Sequence, residues 1–156
     1  DAKLVNRARE KLVKLADRLG VKLRQSYKRV GKLALVMHQR YAHARHFKRA
    51  KRMLRKLKTY LGRIIRDISR EIEGEAGLDA KFAWLLSLAR RVREQQRGQR
   101  GPKLYSLHAP EVECIGKGKP HKPYEFGVKV SVATPLKHSK GRPVRRPRAG
   151  AAGQSL

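Results

Sequence analysis

A single cysteine, a scarcity of acids and the absence of any long apolar run set the first limits on this chain. Cys114 has no second thiol to pair with, so no internal disulfide can staple the fold, and a reduced, cytosolic setting is expected. Charge interrupts every apolar run well before the ~18 residues that a membrane span needs. The first residues show neither a signal h-region nor a cleavage site, so a soluble, cytoplasmic protein with no membrane partner is expected. Only 12 Asp and Glu face 40 Lys and Arg, a formal charge of +28 and a pI near 11.3. That imbalance repels itself in a compact state and calls for a polyanion, most commonly a phosphate backbone, whose condensed counterions are released on binding. A purely structural role would leave the cost unexplained. Catalytic constellations are missing too: there is no P-loop, nucleophile elbow or CxxC pair, and no set of carboxylates on strand ends to carry Mg²⁺.

What the sequence does have is helical periodicity. From Ala2 to about Gly20, Leu4, Val5, Ala8, Leu12, Leu15, Ala16 and Leu19 recur at helical spacing, and Gly20 stands where a C-terminal cap belongs. A second helix is expected from Ser26 as N-cap through Val30, Leu33, Ala34, Val36 and Met37. The longest pattern runs from about Ala42 to Glu73, with Phe47, Ala50, Met53, Leu54, Leu57, Tyr60, Leu61, Ile64, Ile65, Ile68 and Ile72 on one stripe. After the Gly74 to Gly77 stretch, Leu78 to Gln96 makes a fourth helix carrying Phe82, Trp84, Leu85, Leu88, Ala89 and Val92. Short connections then favour an antiparallel helical array over residues 1–98.

At Gly98 the composition changes, and residues 99–138 read as a β-hairpin with a long loop. Its first strand is expected at Lys103 to His108, its loop at PEVECIGKGKPHKP, and its second strand at Tyr124 to Thr134. In the second strand Phe126, Val128, Val130 and Val132 alternate with Glu125, Gly127, Lys129 and Ser131, the period of a strand with one buried face. Residues 139–156, rich in Arg, Pro, Gly and Ala without apolar periodicity, are expected to be disordered. The fold class is therefore α+β, mostly α.

Between Asp17 and Asp67 there is no acidic residue, while bases recur, densest from Phe47 to Lys58. Lys48, Arg52, Arg55, Lys56 and Arg63 fall at three-, four- and seven-residue spacings, with Lys51 and Lys58 beside them, so one helix face becomes a cationic ridge. Ordinary solvated faces mix signs, whereas like charges at these spacings repel. Arg45, Lys48, Arg49, Lys51, Arg52, Arg55, Lys56, Lys58 and Arg63, with Lys117, Lys119 and Lys122 of the hairpin loop, are the candidate DNA-binding residues. His38, His43 and His46 lie nearby without an acidic or cysteine ligand, which favours contact with phosphate over metal binding. Tyr27, Tyr41, Tyr60, Phe47, Phe82 and Trp84 sit mostly at core spacing, where packing outweighs base stacking. Tyr105 and Tyr124 could cover a sheet or touch DNA.

The segment RQSYKRVGKLALVMHQRYAHARHFKRAKRMLRKLKTYLGRIIRDI, followed by KLYSLHAPEVECIGKGKPHKPYEFGVKVSVAT, closely resembles bacterial insertion-sequence transposases of the DDE type, which have an RNase H-like core. The resemblance covers about residues 1 to 140. It implies that the helices lie between the first and second core strands, that Tyr105 and the Tyr124 to Thr134 strand belong to an incomplete RNase H-like sheet, and that KGKPHKPYEFG lies close to DNA. It also implies DNA partners at insertion-sequence ends, a nucleoid-associated bacterial setting, a homodimer as an allowed state, and Mg²⁺ for the full-length family. None of the family's three catalytic acids maps onto this chain, and the pattern is left after about Ser139, as in a truncated and frameshifted element. No catalytic residue and no cofactor are therefore expected here. The competing expectation is a non-catalytic RNA-binding or ribosome-associated basic helical module.

Overall fold

The structure, a computed structural model, describes residues 1–96, 98–99 and 101–131. Four helices precede a two-stranded antiparallel hairpin: α1 (Ala2–Leu19), α2 (Lys28–His43), α3 (Phe47–Glu71), α4 (Ala76–Glu94), β1 (Glu113–Gly116) and β2 (Tyr124–Gly127). The chain is α+β and mostly α. Helices α1 and α3 form the centre, each packing against the other three, while α2 and α4 do not touch.

Helix α1 buries Val5, Ala8, Leu12 and Ala16, residues three or four apart and hence on one face. Gly20, at φ 72°, closes it in the left-handed conformation that glycine adopts without Cβ strain. Val21 N–H then donates to Ala16 O at 2.9 Å, satisfying one of the last open carbonyls. In α3 the turn-by-turn apolar set Leu57, Leu61, Ile64, Ile68 is buried, and α4 adds Phe82, Leu85, Leu86, Leu88, Ala89 and Val92 to the same core.

Helix boundaries depart from expectation at α2 and α3. Ser26 does not cap α2; its carbonyl instead accepts Arg9 Nη1–H at 2.9 Å, and Tyr27, left-handed at φ 51°, occupies the N-cap position. The long helix begins at Phe47 rather than Ala42, because α2 runs on to His43. Arg45 then takes a left-handed turn at φ 58° in the place glycine usually fills, and His46 N–H reaches back to Tyr41 O at 2.8 Å. Helix α4 begins at Ala76, so Gly77 lies in its first turn rather than in the linker. Phe47 and Trp84, expected in the core, are exposed, whereas Phe82 is buried.

The segment Lys103 to His108 is not a strand. Its two leucines, Leu104 and Leu107, are three apart and both enter the helical core, a spacing that a period-two strand cannot present to one side. Gln95 ties this segment down. Its Oε1 accepts Leu104 N–H at 2.8 Å and its Nε2 donates to Asp1 Oδ1 at 3.2 Å, while its carbonyl accepts Lys58 Nζ at 2.7 Å.

The hairpin's first strand lies instead within the expected loop, at Glu113–Gly116, pairing Glu113 with Gly127, Cys114 with Phe126, Ile115 with Glu125 and Gly116 with Tyr124. With a partner only four residues long, β2 stops at Gly127, well short of Thr134. The expected buried face is not buried: Phe126 is 61% and Val130 76% exposed, with Val128 exposed between them. Phe126 meets Tyr105 at 5.1 Å between ring centroids, its one ring contact among the described residues. Val132 to Thr134, the end of the 99–138 hairpin region and the tail at 139–156 lie outside the described residues.

Candidate nucleic-acid interface

One face of α3 is committed to the core, so its helical pitch turns the opposite face outward. Lys48, Arg52, Arg55, Lys56, Arg63, Arg66 and Arg70 are all exposed there. Two shallow recesses follow one another along this face. Arg52, Arg55, Lys56, Thr59, Tyr60 and Arg63 line the first; Arg24, Tyr27, Arg63, Arg66, Asp67 and Arg70 line the second. Arg63 belongs to both, so they form one cationic groove with Asp67 as the lone acid among its lining residues.

Tyr27 and Tyr60 stack beside the groove with centroids 4.9 Å apart and planes 13° off parallel. Arg63 Nη1 donates to the Tyr27 hydroxyl at 3.4 Å, and its guanidinium carbon lies 5.9 Å from the Tyr27 ring centre. That hydroxyl, more than any other neighbour, raises the Arg63 guanidinium above its ordinary value, so the cation is fixed at every accessible pH.

The candidate residues separate into three groups. Lys48, Arg52, Arg55, Lys56 and Arg63 lie on the groove face, with exposed Lys51 on its flank. Arg45 sits in the α2–α3 turn rather than on the helix, and Arg49 leans over the Tyr41 ring of α2 at 5.8 Å. Lys58 turns away to cap the Gln95 carbonyl at the end of α4, where burial, then the nearby Arg93, lowers its ammonium below the ordinary value. It serves the fold rather than the ridge. In the hairpin loop Lys117 pairs with Glu125 at 2.6 Å, leaving Lys119 and Lys122 as exposed cations.

Three groove cations were not among the candidates. Arg66 and Arg70 were accessible to sequence reasoning, since they continue the ridge seven residues beyond Thr59 and Arg63. Arg24 had no such signal; it comes from the loop between α1 and α2 and is placed by tertiary structure alone. His38 is half-buried on α2, and burial, then the chain's first ammonium, lowers its imidazole and disfavours the charged form that a phosphate contact would use.

Among the described residues no three His, Cys, Asp or Glu side chains are grouped to hold a metal, and Glu125 is engaged by Lys117. No helix among the described residues is long and apolar enough to cross a membrane.

No protein-family model and no solved structure matches the chain. Over 47 residues, 30% of its length, it is 49% identical to a Rhizobium meliloti protein described as "Uncharacterized protein ORF8 in nfe locus". Those residues span 23% of that protein, less than a quarter of its length.

Proposed function

We propose that this chain binds DNA through the cationic face of α3, as a non-catalytic member of the DDE-type insertion-sequence transposases that its sequence resembles, in a cytoplasmic, nucleoid-associated setting. The observation that carries the binding reading is the groove itself: a helix anchored by its apolar face presents lysines and arginines in file, with one carboxylate among them. From Lys48 to Arg63 the face is about 22 Å long at 1.5 Å per residue, enough to meet several successive phosphates. Neutralising each would release condensed counterions, a driving force independent of base sequence. Side chains pointing at phosphates position a protein on DNA without reading it, and no base preference is assigned.

The transposase reading rests on the resemblance of the two sequence segments. The test is affinity of the purified chain for random duplex DNA across a salt series, with insertion-sequence ends and structured RNA as competitors at equal salt. Micromolar binding with steep salt dependence, and no preference for RNA, is expected. No binding at low salt would overturn the proposal, and a strong preference for structured RNA would replace it with an RNA-binding module.

A further inference from the structure

The second recess of the groove differs in kind from the first. The first draws all its lining from α3, so its cations run in a line. The second is closed from two sides: Arg63, Arg66 and Arg70 come from two turns of α3, and Arg24 from the α1–α2 loop. Among the described residues, the side chains of Arg24, Arg66 and Arg70 make no hydrogen bond or ion pair, and the Arg63 guanidinium donates only to the Tyr27 hydroxyl. Four guanidiniums thus share one concavity with a single carboxylate, Asp67, a repulsive arrangement that an entering anion relieves.

The loop that brings Arg24 is tied at both ends. Gly20 and Val21 close α1 at one end; at the other the buried Arg9 holds the Ser26 carbonyl at 2.9 Å. The backbone that carries Arg24 is therefore placed before any ligand arrives, and what binding must still order is the exposed guanidinium side chains. Guanidiniums present paired N–H donors that match phosphate oxygens, and donors converging from two elements suit a tetrahedral anion held from several sides.

We infer that the recess lined by Arg24, Tyr27, Arg63, Arg66, Asp67 and Arg70 is a single-phosphate pocket, the fixed point that sets the register of a nucleic-acid backbone along α3. This deepens the DNA-binding reading and rests on it for the identity of the phosphate's owner. The pocket itself can be tested without DNA.

The full chain is titrated with inorganic phosphate, followed by calorimetry and by broadening of the ³¹P resonance, and separately with duplex DNA across a salt series. One saturable phosphate site is expected. Arg24→Gln alone, or Arg66→Gln with Arg70→Gln, should weaken it at least fivefold; Lys48→Gln with Arg52→Gln should not change it, and Asp67→Asn should tighten it. All these positions except Asp67 are exposed, and unchanged circular dichroism confirms that the fold is kept. On DNA, removing Arg66 and Arg70 together should lower the slope of log K against log salt by about 0.9, because both serve one phosphate, whereas the Lys48 and Arg52 pair should lower it by about 1.8.

Absence of saturable phosphate binding, or equal weakening by the Lys48 and Arg52 pair, overturns the pocket. DNA binding that is indifferent to Arg24, Arg66 and Arg70 overturns the recess as the fixed point of the backbone while leaving the function standing. Saturable phosphate binding in a chain that ignores DNA keeps the pocket and overturns the function.

Discussion

Replacing Arg9 with Met should destabilise the protein by about 3 kcal/mol, although Arg9 touches no groove residue's charged end. The guanidinium is 2% exposed and donates three bonds: Nε to Asn6 Oδ1 at 3.1 Å, Nη1 to the Ser26 carbonyl at 2.9 Å and Nη2 to Glu10 Oε1 at 3.2 Å. Methionine fills similar space and supplies none of them, leaving the Ser26 carbonyl without the donor that reached across from α1. Bonds to a charged group contribute roughly 1.5–3 kcal/mol net, and breaking a buried ionic network typically costs about 3–5 kcal/mol. Only Glu10 of this network is exposed, which places the estimate at the lower end.

Gly31 provides an internal check on the same site. A Cβ there would lie 2.8 Å from Arg9 Nε and 3.3 Å from both Arg9 Cζ and Asn6 Oδ1. Because three bonds hold the guanidinium, it cannot swing aside, and Gly31→Ala should cost about 1–3 kcal/mol by overpacking. In the double variant the clash meets a flexible thioether, so the combined destabilisation should fall short of the sum by about 1 kcal/mol or more. Urea unfolding followed by helical circular dichroism measures all three, with exposed Arg7→Met as control. A destabilisation under about 0.5 kcal/mol for Arg9→Met, the range of ordinary surface substitutions, or strict additivity with Gly31→Ala, would refute the reasoning.

Two further outcomes follow from the packing and the titrating groups. Gln95→Ala should expose the 103–107 segment, since Leu104 N–H loses its acceptor; a destabilisation of about 1–3 kcal/mol is expected, with faster hydrogen exchange at Leu104 and Leu107 than in α1, and exchange unchanged there would contradict the tether. His38 has its imidazole lowered by burial first, so the unfolded chain binds the proton more readily than the folded one. Stability should therefore be fully present above the ordinary value of about 6.5 and fall as pH drops through it toward the lower folded value. Unfolding midpoints between pH 8 and 5 should show that decline, flattened in His38→Gln; an equally steep decline in the variant would assign it to other groups.

Much of the helical part is legible in the sequence because one force dominates it. Leu57, Leu61, Ile64 and Ile68 are spaced for a helix and large enough to decide its orientation, so the core face and the opposite cationic face follow together. The boundary at Ala44 to His46 carried no such sign, since its left-handed residue is Arg45 rather than glycine. Ser26 looked like a cap, but its carbonyl is held by Arg9, a contact seventeen residues away in sequence.

The C-terminal part was harder for a related reason. Strand pairing is set by partners, and Glu113–Gly116 sits amid glycine, lysine and proline, where local composition favours a loop. The alternation of Phe126, Val128 and Val130 is real in the sequence, yet those side chains remain exposed, so a period of two reported a face without revealing whether anything covers it. In the groove, α3's cations could be read from spacing, whereas Arg24 could not. The turning of Lys58 toward Gln95 was equally hidden, because a carbonyl at the end of another helix decided it.

The central claim is that the exposed face of α3 meets a phosphate backbone, and the most direct measurement is the salt dependence of duplex DNA binding by the chain and by its Lys48→Gln, Arg52→Gln, Arg55→Gln, Lys56→Gln variant. A slope of log K against log salt reduced by up to about 0.9 for each phosphate that the variant no longer neutralises, alike for any base sequence, is expected. An unchanged slope, with the fold intact, would remove α3 from the interface and contradict the claim.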